Sequence, residues 1–175
     1  SKNNKVSASI KSYNNYLGVL ISLINLDLFS KFAIFELGTN NFNEIKKLTN
    51  LVRPSQVIIT SISPCHLENL INTRNIAIEK SDIFNPEYNP NVELLILPQS
   101  NSDEKYIYNL ALKNNIRKII TFGKEDNLDF YVKKIKKINK FTYKVLISHI
   151  KKNYEFMISS KQLLRLNNIL ICLII

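Results

Sequence analysis

The chain has 175 residues, enough for one domain with a real core, and its 45% content of hydrophobic residues excludes a disordered protein. The net charge of +10 leaves nucleic-acid binding open, although no nucleic-acid-binding motif accompanies it. Two cysteines make no disulfide framework, which favours a reduced protein of the cytoplasm.

Neither secretion nor a membrane span is predicted. The first residues lead to no apolar signal core, and the apolar run over residues 16–29 is broken by Ser22, Asn25 and Asp27. This run falls short of the ~20 residues that a membrane helix needs. Because the chain does not begin with Met, we expect it to be a piece of a longer protein.

The first predicted elements alternate between strand and helix. Residues 6–10 form a weak strand or loop, and Asn14 or Asn15 caps the helix that follows. That helix has one apolar face, formed by Leu17, Leu20, Ile21, Ile24 and Leu28. The continuous apolar run over residues 31–37 is typical of a buried parallel strand.

A second helix and the remaining parallel strands follow. Asn41 and Glu44 resemble the ends of a capping box, and the helix they open stops before Pro54 with three residues facing inward: Ile45, Leu48 and Val52. Three more strands are predicted over residues 56–62, 93–97 and 117–122. Between them lie helices over residues 73–84 and from Ser102, the latter with Asp103 and Glu104 in its first turn.

This order predicts an α/β fold: a mostly parallel sheet flanked by helices, with a small antiparallel β region near the C-terminus. We interpret residues 1–175 as one partial domain. Its predicted parts are a parallel α/β part (12–123), an antiparallel hairpin region (128–160) and a truncated apolar helix (161–175).

Three side chains follow apolar runs in places where α/β sheets bind ligands: Glu36, His66 and Lys80. By position alone, Glu36 is either a Mg²⁺ ligand or a solvated acid at a strand end. His66 is either a ligand or a hydrogen-bonded structural residue, and Lys80 is an exposed helix lysine.

Five short motifs, in order, change this interpretation. They are Asn14-Asn15 with Gly18, Glu36-Leu37-Gly38, Asn43-Glu44-Ile45 with Arg53-Pro54, Thr60 to Glu68 ending His66-Leu67-Glu68, and Lys80-Ser81-Asp82-Ile83-Phe84. With these motif residues at this spacing, the chain resembles the central, ATP-using domain of the Mur ligases over residues 12–123. A ligase that polyglutamylates folate shares the fold and some of the chemistry.

The resemblance implies roles for particular residues. Glu36 and His66 would hold Mg²⁺, and Lys80 would be carbamylated, which makes it a carboxylate-like metal ligand with a part in catalysis alongside His66. Asn14 and Asn15 would lie near the substrate and the phosphates of ATP. The implied reaction is ATP-dependent amide formation between UDP-N-acetylmuramoyl-tripeptide and D-alanyl-D-alanine, in cytoplasmic peptidoglycan precursor synthesis.

The chain also departs from the family pattern. No G-x-x-G-K-[ST] phosphate loop occurs in it, and the resemblance places that loop upstream of Val6. Residues 159–168 stand where the family has a short G-x-H element, without the histidine. We therefore expect poor ATP binding and no ligase activity from this chain alone, with the N- and C-terminal domains missing. The alternatives are an inactive remnant, a non-catalytic interaction module, or a nucleic-acid-binding domain using the lysines of residues 133–144.

Overall fold

The computed structural model describes residues 5–64, 67–150 and 152–175 of the chain. These residues form an α/β fold, which confirms the predicted fold class. The strands are β1 (Val6–Ala8), β2 (Phe32–Ile34), β3 (Gln56–Ile58), β4 (Leu94–Pro98), β5 (Lys118–Gly123), β6 (Phe130–Lys137), β7 (Thr142–His149) and β8 (Lys152–Ser159).

Most helices are two to three turns long. They are α1 (Tyr16–Ile24), α2 (Glu44–Val52), α3 (Leu67–Leu70), α4 (Thr73–Ser81), α5 (Ser102–Lys113), α6 (Ser160–Leu163) and α7 (Leu166–Ile174), with a 3₁₀ turn at Asp82–Phe84. No helix in the described part of the chain is both long and apolar enough to cross a bilayer.

The strands form two sheets. β1 and β2 pair in parallel, and the six-stranded sheet has the order β3-β4-β5-β6-β7-β8. The pairs from β3 to β6 are parallel and the last two are antiparallel. This confirms the mostly parallel sheet with an antiparallel region near the C-terminus.

The chain divides into two compact units. The first unit comprises the described residues of 1–55 and 64–91, and the second comprises those of 56–63 and 92–175. The first unit contains β1, β2 and α1 to α4, with a small core around Val19, Ile45 and Leu48. The second contains the six-stranded sheet, α5, α6 and α7, and a larger core that includes Phe122, Ile147 and Leu170.

The predicted burial of the strand after Lys31 is wrong. Phe32 and Ile34 of β2 are 46% and 58% exposed. The strand does form and is parallel, but among the described residues it pairs only with β1, so no strand covers its other edge. An apolar run alone therefore does not bury a strand.

Helix ends also differ in detail from the prediction. Helix α1 begins after Asn15, as predicted. Helix α2 begins at Glu44 and not near Asn41, because Asn43 has a left-handed backbone with φ of 65°. Only half of the predicted capping box forms: Glu44 Oε2 accepts from Asn41 N at 3.1 Å, while the Asn41 side chain donates to Glu44 Oε1. The apolar helix predicted from Lys161 onward is two helices, α6 and α7.

Candidate functional site

The Glu36 carboxylate lies on the loop that follows β2 and is exposed. Its backbone N–H donates to the Ser9 hydroxyl at 2.9 Å. Its Oε1 accepts a hydrogen bond from the side-chain amide of Asn14 at 2.8 Å. Asn14 and Glu36, which the resemblance assigns to the nucleotide and to Mg²⁺, are thus in direct contact.

Gly38 brings this loop close to Asn14. Its N–H donates to the Asn14 carbonyl at 2.9 Å. A Cβ on Gly38 would lie 2.7 Å from Cγ of Asn14, a distance at which one of the two must move. A side chain at position 38 would therefore displace the Asn14 side chain, although the backbone of Gly38 is not left-handed.

Asn15 has a different structural task from that of Asn14. Its side-chain oxygen accepts from the Gly18 N–H at 2.9 Å and caps the N-terminus of α1. A cap of this type stabilises a helix by about 1 kcal/mol. The predicted contact of Asn15 with the cofactor stays a prediction.

Glu79 is the residue of this unit that sequence reasoning missed. It is 2% exposed, and its two carboxylate oxygens accept from the N–H groups of Asn43 and Ile45, both at 2.8 Å. A carboxylate at this end of α2 also complements the helix dipole. Glu79 thereby fixes the end of the loop that begins at Glu36. The available signal was its position three residues after Ile76, on the inward side of α4.

The two other predicted site residues differ in what the structure describes. Lys80 is half-buried in the last turn of α4, directly after Glu79. Its proposed carbamylation stays a prediction. His66, with the neighbouring Cys65, lies outside the described residues.

Glu44, near Glu36 in sequence, has a shifted pKa. Partial burial raises the pKa of its carboxyl group, but hydrogen bonds from the backbone of Asn40 and from Asn41 outweigh this and leave the pKa below its ordinary value. The shortest of these bonds, from Asn40 N, is 2.7 Å. The Glu44 carboxylate thus stabilises the loop of Asn40 and Asn41 by accepting its hydrogen bonds, and it is a poor candidate for ligand binding.

The chemistry of Glu36 fits the Mg²⁺ ion that the resemblance implies. The described residues contain no group of three His, Cys, Asp or Glu side chains that could hold a metal by itself. Mg²⁺ does not need one, because it keeps several waters and is held by one or two carboxylates plus substrate phosphates. Glu36 offers such a carboxylate: it is exposed, and among the described residues only its Oε1 accepts a hydrogen bond.

The second unit has a cavity of about 960 Å³ at the carboxyl ends of its parallel strands. Ser61, Gln99 and Gly123, which follow or end β3, β4 and β5, line it together with Asn167 and Asn168 of α7. Open α/β sheets bind ligands at this edge.

A second buried glutamate holds the backbone of Ser100, which lines this cavity. Glu104 of α5 is 4% exposed and accepts from Ser100 N at 2.6 Å and from Ile62 N at 3.3 Å. Asn101 caps α5 and also donates to the Ile62 carbonyl at 3.3 Å. The segment that follows β3 is thereby fixed to the first turn of α5. The sequence analysis had explained Glu104 by the helix dipole alone.

Comparison with known proteins shows which family this chain belongs to. The family described as "Mur ligase middle domain" matches residues 1–175, so the chain belongs to the Mur ligase family. The UDP-N-acetylmuramoyl-tripeptide--D-alanyl-D-alanine ligase of Rickettsia prowazekii is 36% identical over 118 residues, 67% of this chain and 26% of that protein. The protein of the same name from Borreliella burgdorferi is 27% identical over 159 residues, 90% of this chain and 32% of that protein. The chain thus spans about a quarter to a third of these relatives.

Solved structures have the same fold. MurF from Acinetobacter baumannii superposes with a TM-score of 0.77 at 20% identity, over 97% of this chain and 35% of that one. MurF ligase from Thermotoga maritima, solved in complex with ADP, superposes with a TM-score of 0.76 at 16% identity, over 95% of this chain and 38% of that one. At these identities the likeness shows the fold.

Proposed function

We propose that this chain is the middle part of a cytoplasmic ligase that uses ATP and Mg²⁺ to join D-alanyl-D-alanine to UDP-N-acetylmuramoyl-tripeptide in peptidoglycan precursor synthesis. The observation that carries the proposal is the exposed Glu36 carboxylate, fixed directly after a parallel strand in a chain of this family. The names of the relatives from Rickettsia and Borreliella support the choice of substrates.

In this reaction a carboxylate oxygen of the tripeptide attacks the γ-phosphorus of ATP, and ADP leaves. The amine of D-alanyl-D-alanine then attacks the acyl carbon of the resulting acyl phosphate, and phosphate leaves as the amide forms. Phosphoryl transfer depends on positioning and on neutralising charge, and Mg²⁺ supplies the neutralisation when bound. In the proposed site, Glu36, His66 and carbamylated Lys80 would hold the metal, and Asn14 and Asn15 would lie near the nucleotide.

Carbamylation of Lys80 is part of the proposal. The neutral Lys80 amine would add to the carbon of CO₂ and lose a proton, which turns a cationic side chain into an anionic oxygen ligand. ¹³C NMR of the chain in ¹³C-labelled bicarbonate would detect the carbamate carbon. We expect one signal that Lys80→Arg removes and that Lys47→Arg, a lysine-to-arginine change on another helix of the unit, leaves in place.

Ligation is best tested in a complete enzyme. We would replace the matching segment of the Borreliella burgdorferi ligase with this chain, and measure phosphate release from ATP that depends on D-alanyl-D-alanine. We expect activity that Glu36→Gln removes and that Glu93→Gln, the same change of charge at an exposed residue outside the motifs, preserves. The chain by itself should give no ligation, because its sequence contains no phosphate loop.

Two results would contradict this function. One is a folded chimera with no activity, where far-ultraviolet circular dichroism verifies the folding. The other is an active chimera in which Glu36→Gln changes nothing. In the first case the chain would be an inactive remnant, and in the second its metal site would lie elsewhere.

One observation favours nucleic-acid binding as a second candidate. The outer part of β6 and the turn after it expose five lysines: Lys133, Lys134, Lys136, Lys137 and Lys140. If they bind a polyanion, the affinity for DNA or RNA should fall steeply with salt, and it should fall at every salt concentration when two of the lysines are changed to Gln. A salt-independent or undetectable affinity would remove this candidate.

A further inference from the structure

We propose that Asn14 is a positioning residue for Glu36: its side-chain amide holds one carboxylate oxygen so that the other is presented to a divalent cation. This inference rests on the proposed function, in which Glu36 is a metal ligand. It goes further because it assigns Asn14 to the carboxylate, whereas the family resemblance assigns it to the substrate and nucleotide.

The contact between the two side chains is direct. Nδ2 of Asn14 donates to Oε1 of Glu36 at 2.8 Å, a good distance for a hydrogen bond to a carboxylate. Glu36 is exposed, so without this bond its side chain would sample several rotamers. The bond therefore selects one orientation of the carboxylate before any cation arrives.

Asn14 is itself held in place, which a positioning residue must be. Its N–H donates to the Ser12 carbonyl and its carbonyl accepts from Gly38 N, both at 2.9 Å. Its side chain lies so close to Gly38 that a Cβ there would displace it. On the other side of the contact, the Ser9 hydroxyl fixes the backbone of Glu36.

The chemistry of an amide suits this task better than that of a cation. Lysine or arginine at position 14 would hold the carboxylate more strongly but would neutralise it and repel a metal ion. The neutral amide of Asn14 orients Glu36 and leaves its full negative charge available. Partners of this kind beside a metal ligand commonly change metal affinity by tenfold or more when they are removed.

The test measures Mn²⁺ binding to the chain, because Mn²⁺ accepts the same oxygen ligands as Mg²⁺ and broadens nearby NMR signals. We would titrate Mn²⁺ and follow the backbone amide signals of Leu37 and Gly38, with the thermal midpoint Tm recorded for each variant. We expect broadening at these amides in the unaltered chain and a loss of this effect in Glu36→Gln. Asn14→Ala should weaken binding roughly tenfold with little change in Tm.

Two carboxylate variants form a matched pair. Asn14→Asp puts a second carboxylate beside Glu36 and should tighten Mn²⁺ binding, because a cation between them relieves their repulsion. Asn72→Asp adds the same charge elsewhere in the first unit, where Asp still caps α4. It should change Mn²⁺ affinity much less. Gly38→Ala should reproduce the weaker binding of Asn14→Ala by displacing the Asn14 side chain.

The outcomes separate the positioning role of Asn14 from the proposed function on which it rests. If Glu36→Gln removes Mn²⁺ binding but Asn14→Ala does not weaken it, the positioning role is overturned and the metal role of Glu36 stands. Equal affinities of Asn14→Asp and Asn72→Asp would also overturn the positioning role. If the unaltered chain shows no broadening, or if Glu36→Gln still shows broadening, the positioning role of Asn14 and the metal role of Glu36 are both overturned. Activity of the chimeric ligase is a separate readout of the proposed function.

Discussion

Strands β2 and β4 come from similar apolar runs and have opposite surroundings. Leu95 and Leu97 of β4 have no exposed surface, whereas Phe32 and Ile34 of β2 are about half exposed. β4 lies between β3 and β5, while β2 pairs only with β1 among the described residues. An apolar run thus predicts a strand, but what packs against the two faces of its sheet determines whether the side chains are buried.

The largest expected difference between the two strands comes from truncating one side chain in each. Leu97→Ala should lower the free energy of unfolding by about 2–5 kcal/mol, because it leaves a cavity in a closed core. Ile34→Ala should lower it by less than about 0.5 kcal/mol, because Ile34 is 58% exposed. Urea unfolding monitored by circular dichroism would measure both. If the two losses were equal, β2 would be as buried as β4 in solution.

The buried glutamates allow a second comparison of the two units. Glu79→Ala should cost about 1.5–3 kcal/mol, because the N–H groups of Asn43 and Ile45 lose a charged acceptor. Glu104→Ala should cost a similar amount in the second unit, through Ser100 and Ile62. Hydrogen exchange locates each effect.

The exchange pattern has a definite expected form. The amide of Ile45 should exchange faster only in Glu79→Ala, and that of Ser100 only in Glu104→Ala. Glu93→Ala, which removes an exposed glutamate, is the control and should accelerate neither. Faster exchange at both sites in one variant would mean that the two units do not open independently.

A smaller effect should appear as a pH dependence of the first unit. The pKa of Glu44 lies below its ordinary value of 4.5 in the folded chain, so its ionised form favours folding above that pH. This contribution is lost as the pH falls below about 4.5 and through the folded pKa. Asp82 has the opposite sign: burial raises its pKa above 3.8, so its ionisation opposes folding as the pH rises.

Glu44→Gln separates the two groups. Between pH 3 and 6, acid should destabilise this variant less than the unaltered chain, because of these two groups only Asp82 remains and its protonation favours folding. An acid dependence as steep as before would show that the hydrogen bonds from Asn40 and Asn41 do not stabilise the Glu44 carboxylate in solution.

The smallest effect concerns an exposed ion pair of the second unit. Lys144 Nζ lies 2.7 Å from Glu155 Oε1, and both side chains are about half exposed. Such pairs contribute about 0.2–1 kcal/mol and are screened by salt. A double-mutant cycle with Lys144→Met and Glu155→Gln should give a coupling in this range at low salt and none at 1 M NaCl. A salt-independent coupling would show that the pair is not screened by solvent.

Much of the fold was predictable because its signals are local. Asn15 is a helix cap and Pro54 ends a helix whatever the rest of the chain does. The alternating strands and helices likewise fixed the parallel sheet. The exposure of β2 was not predictable, since it depends on what packs against the faces of its sheet and not on its own residues.

The candidate site was predictable in its residue types and not in its contacts. The motifs identified Asn14 and Glu36, but the hydrogen bond between them depends on how Gly38 folds the loop back. Glu79 and Glu104 were missed for a related reason. A glutamate in a helix is usually solvated, and only the tertiary fold brings backbone N–H groups to these two.

The meander of β6, β7 and β8 has a consequence for how fast the chain folds. In it His149 pairs with Lys152, whereas the parallel part requires Gln56 to find Leu94. Closing short loops costs less entropy than closing long ones, so we expect the meander to form before the folding transition state and β3 to pair after it. Loosening the meander should then slow refolding, and loosening β3 should mainly speed unfolding.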